Sequence, residues 1–379
     1  MGNYINAKEI VYMNTKPQFH GSDLEKIEKY YNIPKESIVK FAANVNPLGI
    51  SENVKNLLKD NLDIISSYPD REYTDLRNSI SEYLDVNSEN ILVGNGSTEF
   101  ISLLIQQRLP KKALVIGPTY SEYSKELSLS NCIQEYYLLK EKDDFEINVP
   151  DLICTLDNGY DMLIICNPNN PTSSAILNGN MRIILEECRK RNIFVMIDET
   201  YVEFAPDGCS ISSVQLTKEY DNLIVLRGVS KFFASPGLRF GYAITGNDSF
   251  RKTVKEHQIP WALNSVAAFA GEHFFKDSEF INNTKSLINI ERTRIFNVLS
   301  NIDGFKTYPA FANFFLVKIT RENITSSDVF EACIKKGLMI RDCSSFNLPG
   351  GEYFRFCIMN QDDNNQLLEV LKSAIKPNK

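Results

Sequence analysis

The sequence predicts an α/β protein: a mostly parallel sheet covered on both faces by helices, followed by a smaller α+β unit. Three observations predict it. From about residue 90, short apolar runs rich in β-branched residues alternate with longer amphipathic segments, the pattern of parallel strands joined by helical crossovers. After about residue 277 this alternation gives way to one long helical stretch and then to strands and helices mixed. The chain has 379 residues, too many for one ordinary core, which makes a second domain the expectation.

Each element follows in order. Residues 1–45 contain a helix from Ser22 to Tyr31, with Ser22 as N-cap, and then the extended run IVKFAANVNPLG. This arm is too short to fold alone, so it is expected to pack on the smaller domain or on a partner subunit. Residues 46–277 form the larger domain. ILVGN, KKALVIG, DMLIICN, NIFVMID, NLIVLRG and RFGYAITG read as its strands. GSTEFISLLIQQ, TYSEYSKELSL and ILNGNMRIILEECRKR read as its helices, with Ser97 or Thr98 opening the first. Residues 278–379 hold a helix from Ser278 to Ser300, then FKTYPA, NFFLVKI, a helix from Ser326 to Lys336, GLMIRD, YFRFCI and a last helix.

Composition excludes several functions. A net charge of −7 and no Lys/Arg run give no electrostatic footprint for nucleic acid. Eight scattered cysteines without a CxxC pair, and three histidines, argue against a disulfide framework and a zinc site. The stretch MGNYINAKEIVYMN lacks a basic and apolar leader pattern and a Ser or Thr at position six, and no apolar run is long enough to span a bilayer. The expectation is a cytoplasmic protein without membrane or nucleic-acid partners.

In open α/β sheets, ligands bind beyond the carboxyl ends of the strands. Five segments there carry functional side chains: GNGSTE, GPTYSEY, CNPNNPTS, IDETYVEF and RGVSKFFASPGLRFGY. In LVGNGSTEF a glycine turn opens a helix, and its free N–H groups with the hydroxyls of Ser97 and Thr98 suit a phosphate, or serve simply as a helix cap. Glu99 stands where a dinucleotide fingerprint needs Gly or Ala, which disfavours a nicotinamide enzyme. Asp198 ends an apolar strand, where a carboxylate is costly unless partnered by a ligand cation or by the next element. Lys231, in a loop next to Ser230, becomes a nucleophile if desolvated near other cations. Arg239 lies eight residues on, with a guanidinium fork that fits a phosphate.

This ordered set resembles the class I/II aminotransferases, fold type I of the pyridoxal-5′-phosphate (PLP) enzymes. NPNNPT, Asp-x-x-Tyr after a strand and SKxxxxPGLRxGY stand in that family's order and spacing, and the match covers nearly the whole chain. The resemblance implies a seven-stranded, mostly parallel sheet. It implies Lys231 as the Schiff-base lysine, Asp198 paired with the ring nitrogen, Asn170 and Tyr201 on the ring hydroxyl, and Tyr120 stacked on the ring. Ser97, Thr98, Ser230 and Arg239 would hold the phosphate. Tyr68 matches a tyrosine that reaches the cofactor of a neighbouring subunit, which implies a homodimer. Arg355 would meet the substrate α-carboxylate and Arg341 a substrate phosphate. Two positions depart from the family: Gly228 stands where Ser or Thr is usual, and Ser173 where Gly is usual.

The finer resemblance runs to two branches. One is the histidinol-phosphate aminotransferases, which makes amino transfer to or from a phosphate-bearing substrate the first expectation. The other is the threonine-phosphate decarboxylases of cobamide synthesis. FHGSDLEKIEKYYNI and IPWALNSVAAFAGE look more like the decarboxylases, with His20 a phosphate ligand or a structural histidine and Asn46 lining the pocket. A non-enzymatic PLP-binding regulator is the remote alternative; the arm before Asn44 is too short and not basic enough for a DNA-binding domain.

Overall fold

The computed structural model describes residues 19, 21, 23–206, 211–346 and 348–376. Strands β1 (Ile91–Gly94), β2 (Lys112–Gly117), β3 (Ile133–Leu138), β4 (Met162–Cys166), β5 (Phe194–Asp198), β6 (Leu223–Gly228) and β7 (Gly241–Ile244) form one sheet in the order β1-β7-β6-β5-β4-β2-β3. All neighbours are parallel except β7, which runs antiparallel to both β1 and β6. The central strands β4, β5 and β6 are buried at every residue, which is why they read as unbroken apolar runs.

The strand missing from the sequence reading is β3. It lies at the sheet edge with Ile133, Tyr136 and Leu138 exposed, so it carries no clean apolar alternation. Helix α1 spans Leu24–Tyr31, and its N-cap position belongs to Asp23; Ser22 lies outside the described residues. Helices α2 (Glu52–Asp60), α3 (Thr74–Leu84), α4 (Ser97–Arg108), α5 (Ser121–Leu129), α6 (Val149–Leu156), α7 (Asn178–Lys190), α8 (Asp248–His257) and α9 (Ser265–Phe274) pack around the larger sheet.

Helix α10 (Ser278–Ser300) is capped by the Asp277 side chain, which accepts from the Phe280 N–H. A second, antiparallel sheet follows, ordered β10-β11-β9-β8: β8 (Phe305–Thr307), β9 (Phe314–Ile319), β10 (Arg341–Asp342) and β11 (Glu352–Cys357). Helix α11 (Ser326–Ile334) starts with a capping box between Thr325 and Asp328, and α12 (Gln361–Ala374) closes the fold.

The segment from Val39 to Asn46 joins the two sheets. Val39 bridges to Leu338, and Phe41 O accepts from Cys357 N at 2.8 Å. Five residues on, Asn46 N donates to Lys231 O at 3.0 Å. A third link is made by the loop after β3, where Glu141 accepts from Lys306 and Lys318 of the smaller sheet.

Candidate active site

Lys231 lies in the loop after β6, with Arg355 of the smaller sheet and Arg239 near it. Its Nζ donates to Ala43 O at 2.8 Å. Burial, with the positive charges of Arg355 and Arg239, pulls its ammonium down to about 8. An amine held that low is a nucleophile near neutral pH, as the position after β6 suggested.

Asp198 ends β5 almost fully buried. Tyr123 donates to its Oδ2 at 2.7 Å, and the Thr200 N–H donates to its Oδ1 at 3.0 Å. Tyr123 was not singled out by the sequence reading. Its signal was available: it lies three residues after Tyr120, on the helix that starts beyond β2. Tyr120 sits at the N-cap of α5 with its ring 5.7 Å from that of Tyr123, edge to face. Its hydroxyl is pushed up by burial and by the carboxylates of Glu122 and Asp198, with Arg239 and Thr98 opposing. Tyr120 is thus near Asp198, Arg239 and Thr98 at once.

The turn between β1 and α4 is shaped by glycine. Gly96 is the N-cap residue at φ +83°, and a Cβ there would stand 2.6 Å from Arg239 Nη2. Gly241, opening β7, leaves no room for a side chain: its Cβ would lie 2.3 Å from Ser97 N. Ser97 and Thr98 follow with the free N–H groups of the first helical turn. Glu99 folds back and accepts from the Asn95 N–H. A Cβ on Gly228 would lie 4.0 Å from Ser97 Oγ, so the departure there faces this same cup. Ser230 is half-buried beside Lys231, and Arg239 is exposed, with Nη1 donating to Pro236 O at 3.2 Å.

On the opposite side, Arg355 of β11 is 5% exposed. It donates to Asn170 Oδ1 and, at 2.9 Å, to Ala42 O, and lies 5.2 Å over the Phe314 ring. The Phe314 ring also meets Tyr201 edge to face at 5.0 Å. Asn44 donates to the Tyr201 hydroxyl at 3.4 Å, and burial pushes that hydroxyl up. Arg341 of β10 donates to Phe19 O and to Ser345 Oγ, and burial followed by the charge of Arg355 lowers its guanidinium.

Three expectations need comment. The amide of Asn46 donates to Phe232 O and Thr284 Oγ1, both at 2.8 Å, and accepts from Leu48 N. Its hydrogen-bonding capacity is spent on holding the Lys231 loop, and Asn44, at φ +56°, turns toward Tyr201 instead. Tyr68 is 79% exposed, with its ring 4.7 Å from that of Trp261. His20 lies outside the described residues.

Behind the site, Arg227 is buried between Glu199 at 2.8 Å and Glu203 at 3.1 Å. This ion cluster is not legible in sequence, because Arg227 lies 28 and 24 residues from its partners and only packing brings them together.

The family model for aminotransferase class I and II matches residues 36–371. The chain belongs to this family. Its sequence is 30% identical, over 94% of the chain and 96% of the relative, to the threonine-phosphate decarboxylase of Salmonella typhimurium. It is 28% identical to the histidinol-phosphate aminotransferase of Methanocaldococcus jannaschii, over 99% of this chain and all of that one. Among solved structures, the histidinol-phosphate aminotransferase from Clostridium acetobutylicum superimposes with a TM-score of 0.82 at 32% identity, covering 88% of this chain and 98% of the other. The expected fold, the seven-stranded sheet included, is the one found.

As an aminotransferase-family protein, the chain is a PLP-dependent enzyme. Its residues fit that cofactor on structural grounds. The glycine-lined cup at Ser97 opens onto Arg239, and Lys231 carries a depressed amine. Among the described residues, Arg355 Nε and Asn44 Oδ1 are buried without a hydrogen-bond partner. Buried polar atoms of this kind call for a ligand.

Proposed function

We propose that this enzyme transfers the amino group of an amino acid or amine that carries a phosphate or a second anionic group, in the manner of a histidinol-phosphate aminotransferase. The observation that carries the reading is the pair Arg341 and Arg355, two buried guanidinium groups opposite each other on neighbouring strands.

The roles divide among the residues as follows. Ser97, Thr98, Ser230 and Arg239 would hold the cofactor phosphate. Asp198 would pair with the ring nitrogen, Asn170 and Tyr201 would bond the ring hydroxyl, and Tyr120 would cover the ring. Bound PLP would supply an electron sink for the charge left at the substrate α-carbon. Lys231 would hold the cofactor through its amine and, when free, would be the general base that takes the proton from the substrate α-carbon and delivers it to the carbonyl-derived carbon of the cofactor, which leaves the α-carbon as a keto carbon. Arg355 orients the substrate α-carboxylate through two parallel hydrogen bonds, and Arg341 meets the distal anion. Tyr68, exposed on the surface, would complete the site of a second copy, which makes the working unit a homodimer.

A second reading is decarboxylation of a phosphorylated amino acid. Phe19, in the FHGSD segment, places its carbonyl on Arg341, and the relatives named as threonine-phosphate decarboxylases support this branch. The two reactions differ in which bond at the α-carbon is held perpendicular to the ring. Incubation of the holoenzyme with O-phosphothreonine and with histidinol phosphate separates them. Conversion of the cofactor to its amine form with a keto product supports transfer, and CO₂ release supports decarboxylation. Neither change with either compound would overturn the proposal.

A further inference from the structure

We infer that Ser173 is a positioning residue for the substrate carboxylate: it fixes the loop that carries Asn170 against the strand segment that supports Arg355. The inference rests on the function proposed above.

Ser173 is fully buried and adopts φ +61°, a left-handed conformation natural to glycine and disfavoured for a residue with a Cβ. Glycine would relieve that strain, yet the position carries a hydroxyl, and the hydroxyl is used. Ser173 Oγ accepts from Ala312 N at 3.0 Å, and Ser173 O accepts from Phe311 N at 2.8 Å. On its own side, Ser173 N donates to Asn169 O at 2.7 Å, next to Asn170.

The clamped segment leads directly to the site. Asn313 donates through its side chain to Asn44 O at 3.2 Å and accepts from Ile358 N at 2.8 Å. The next residue, Phe314, lies under the Arg355 guanidinium and against Tyr201. Asn170 in turn accepts from Arg355. Ser173 therefore sits between the two anchors of one guanidinium, the amide that accepts from it and the ring beneath it. Without the hydroxyl, the buried Ala312 N–H has no acceptor on this loop, and the segment must shift or admit water.

Two variants test this. Ser173→Ala keeps the strained conformation and removes the acceptor; Ser173→Gly removes the acceptor and also the strain. If the hydroxyl positions Arg355, both raise KM for O-phosphothreonine or histidinol phosphate by about five- to tenfold, with a smaller change in kcat. Both also speed hydrogen exchange at Ala312 N, while cofactor content and absorption maximum stay those of the parent. Unchanged KM in both variants overturns the inference even if the melting temperature falls, since the contact would then be structural alone. If the parent enzyme takes up no PLP, it is the proposed function that fails. In that case exchange at Ala312 still reads the clamp, and unchanged protection in both variants overturns it.

Discussion

Arg341 and Arg355 stand directly opposite each other on the antiparallel strands β10 and β11, both buried. Like charges at such a pair repel, at a cost of a few tenths of a kcal/mol to about 1 kcal/mol. Their hydrogen-bond partners among the described residues are all neutral: Phe19 O and Ser345 Oγ for Arg341, Asn170 Oδ1 and Ala42 O for Arg355. A ligand with two anionic groups would relieve this repulsion.

Arg341→Met is expected to raise KM for a phosphorylated substrate by about 10- to 100-fold and to leave that for its unphosphorylated analogue nearly unchanged. Arg355→Met should raise both. Steady-state kinetics with the paired compounds check this. The melting temperature of the unliganded Arg341→Met protein reads the balance between the repulsion removed and the hydrogen bonds to Phe19 O and Ser345 Oγ that go with it.

The Lys231 amine gives a pH dependence with a definite sign. Its folded value, about 8, lies below its ordinary value of 10.5. Between those two values the unfolded chain binds more protons than the folded one, so stability should rise with pH from about 8 to 10.5. Over the same group, cofactor uptake by apoenzyme should quicken with a midpoint near 8. Arg355→Met should move that midpoint upward, since a neighbouring positive charge is lost. Stopped-flow absorbance across pH measures both, and borohydride reduction with peptide mapping should mark Lys231.

Asp198→Ala should keep part of the cofactor but lower turnover by about 10²-fold or more. It should also destabilise the protein by about 1–3 kcal/mol, because the buried Tyr123 hydroxyl loses its acceptor. Tyr123→Phe should show a smaller loss in turnover, about tenfold. Turnover per bound cofactor, read beside thermal melts, separates the two effects. Near-normal turnover of Asp198→Ala would contradict its role.

Gly96→Ala puts a Cβ into the cup at φ +83°, against Arg239. Cofactor affinity should fall by about tenfold, the strain being worth about 1–2 kcal/mol. Gly241→Ala meets backbone at 2.3 Å and should damage folding itself. Cofactor titration followed by absorbance, with a melting curve for each variant, distinguishes a lost binding cup from a lost fold.

Much of this was written locally. The buried strands β4, β5 and β6 announce themselves as apolar runs because both of their faces are covered, and α10 keeps its expected span because Asp277 caps it. The ends of β5, β6 and β1 also named Asp198, Lys231 and the Gly96 turn, since strand-end chemistry depends on residue type and position along the chain. What stayed hidden depends on neighbours far apart in sequence. The edge strand β3 has no periodic signature because solvent reaches both its faces. Asn44 drew no notice in the sequence, yet a positive φ turns its side chain toward Tyr201, 157 residues away.

The sequence by itself determined the α/β alternation of the buried strands and the residue types at their ends, which follow from short-range periodicity and spacing, and the ordered motifs supplied the resemblance to the PLP family. Only the tertiary structure decided that Tyr123 supports Asp198, that Ser173 grips Ala312 and that two arginines face each other at one strand pair. The reason is physical: strand register and loop docking are set by packing summed over the whole chain, and no local window of residues contains that sum.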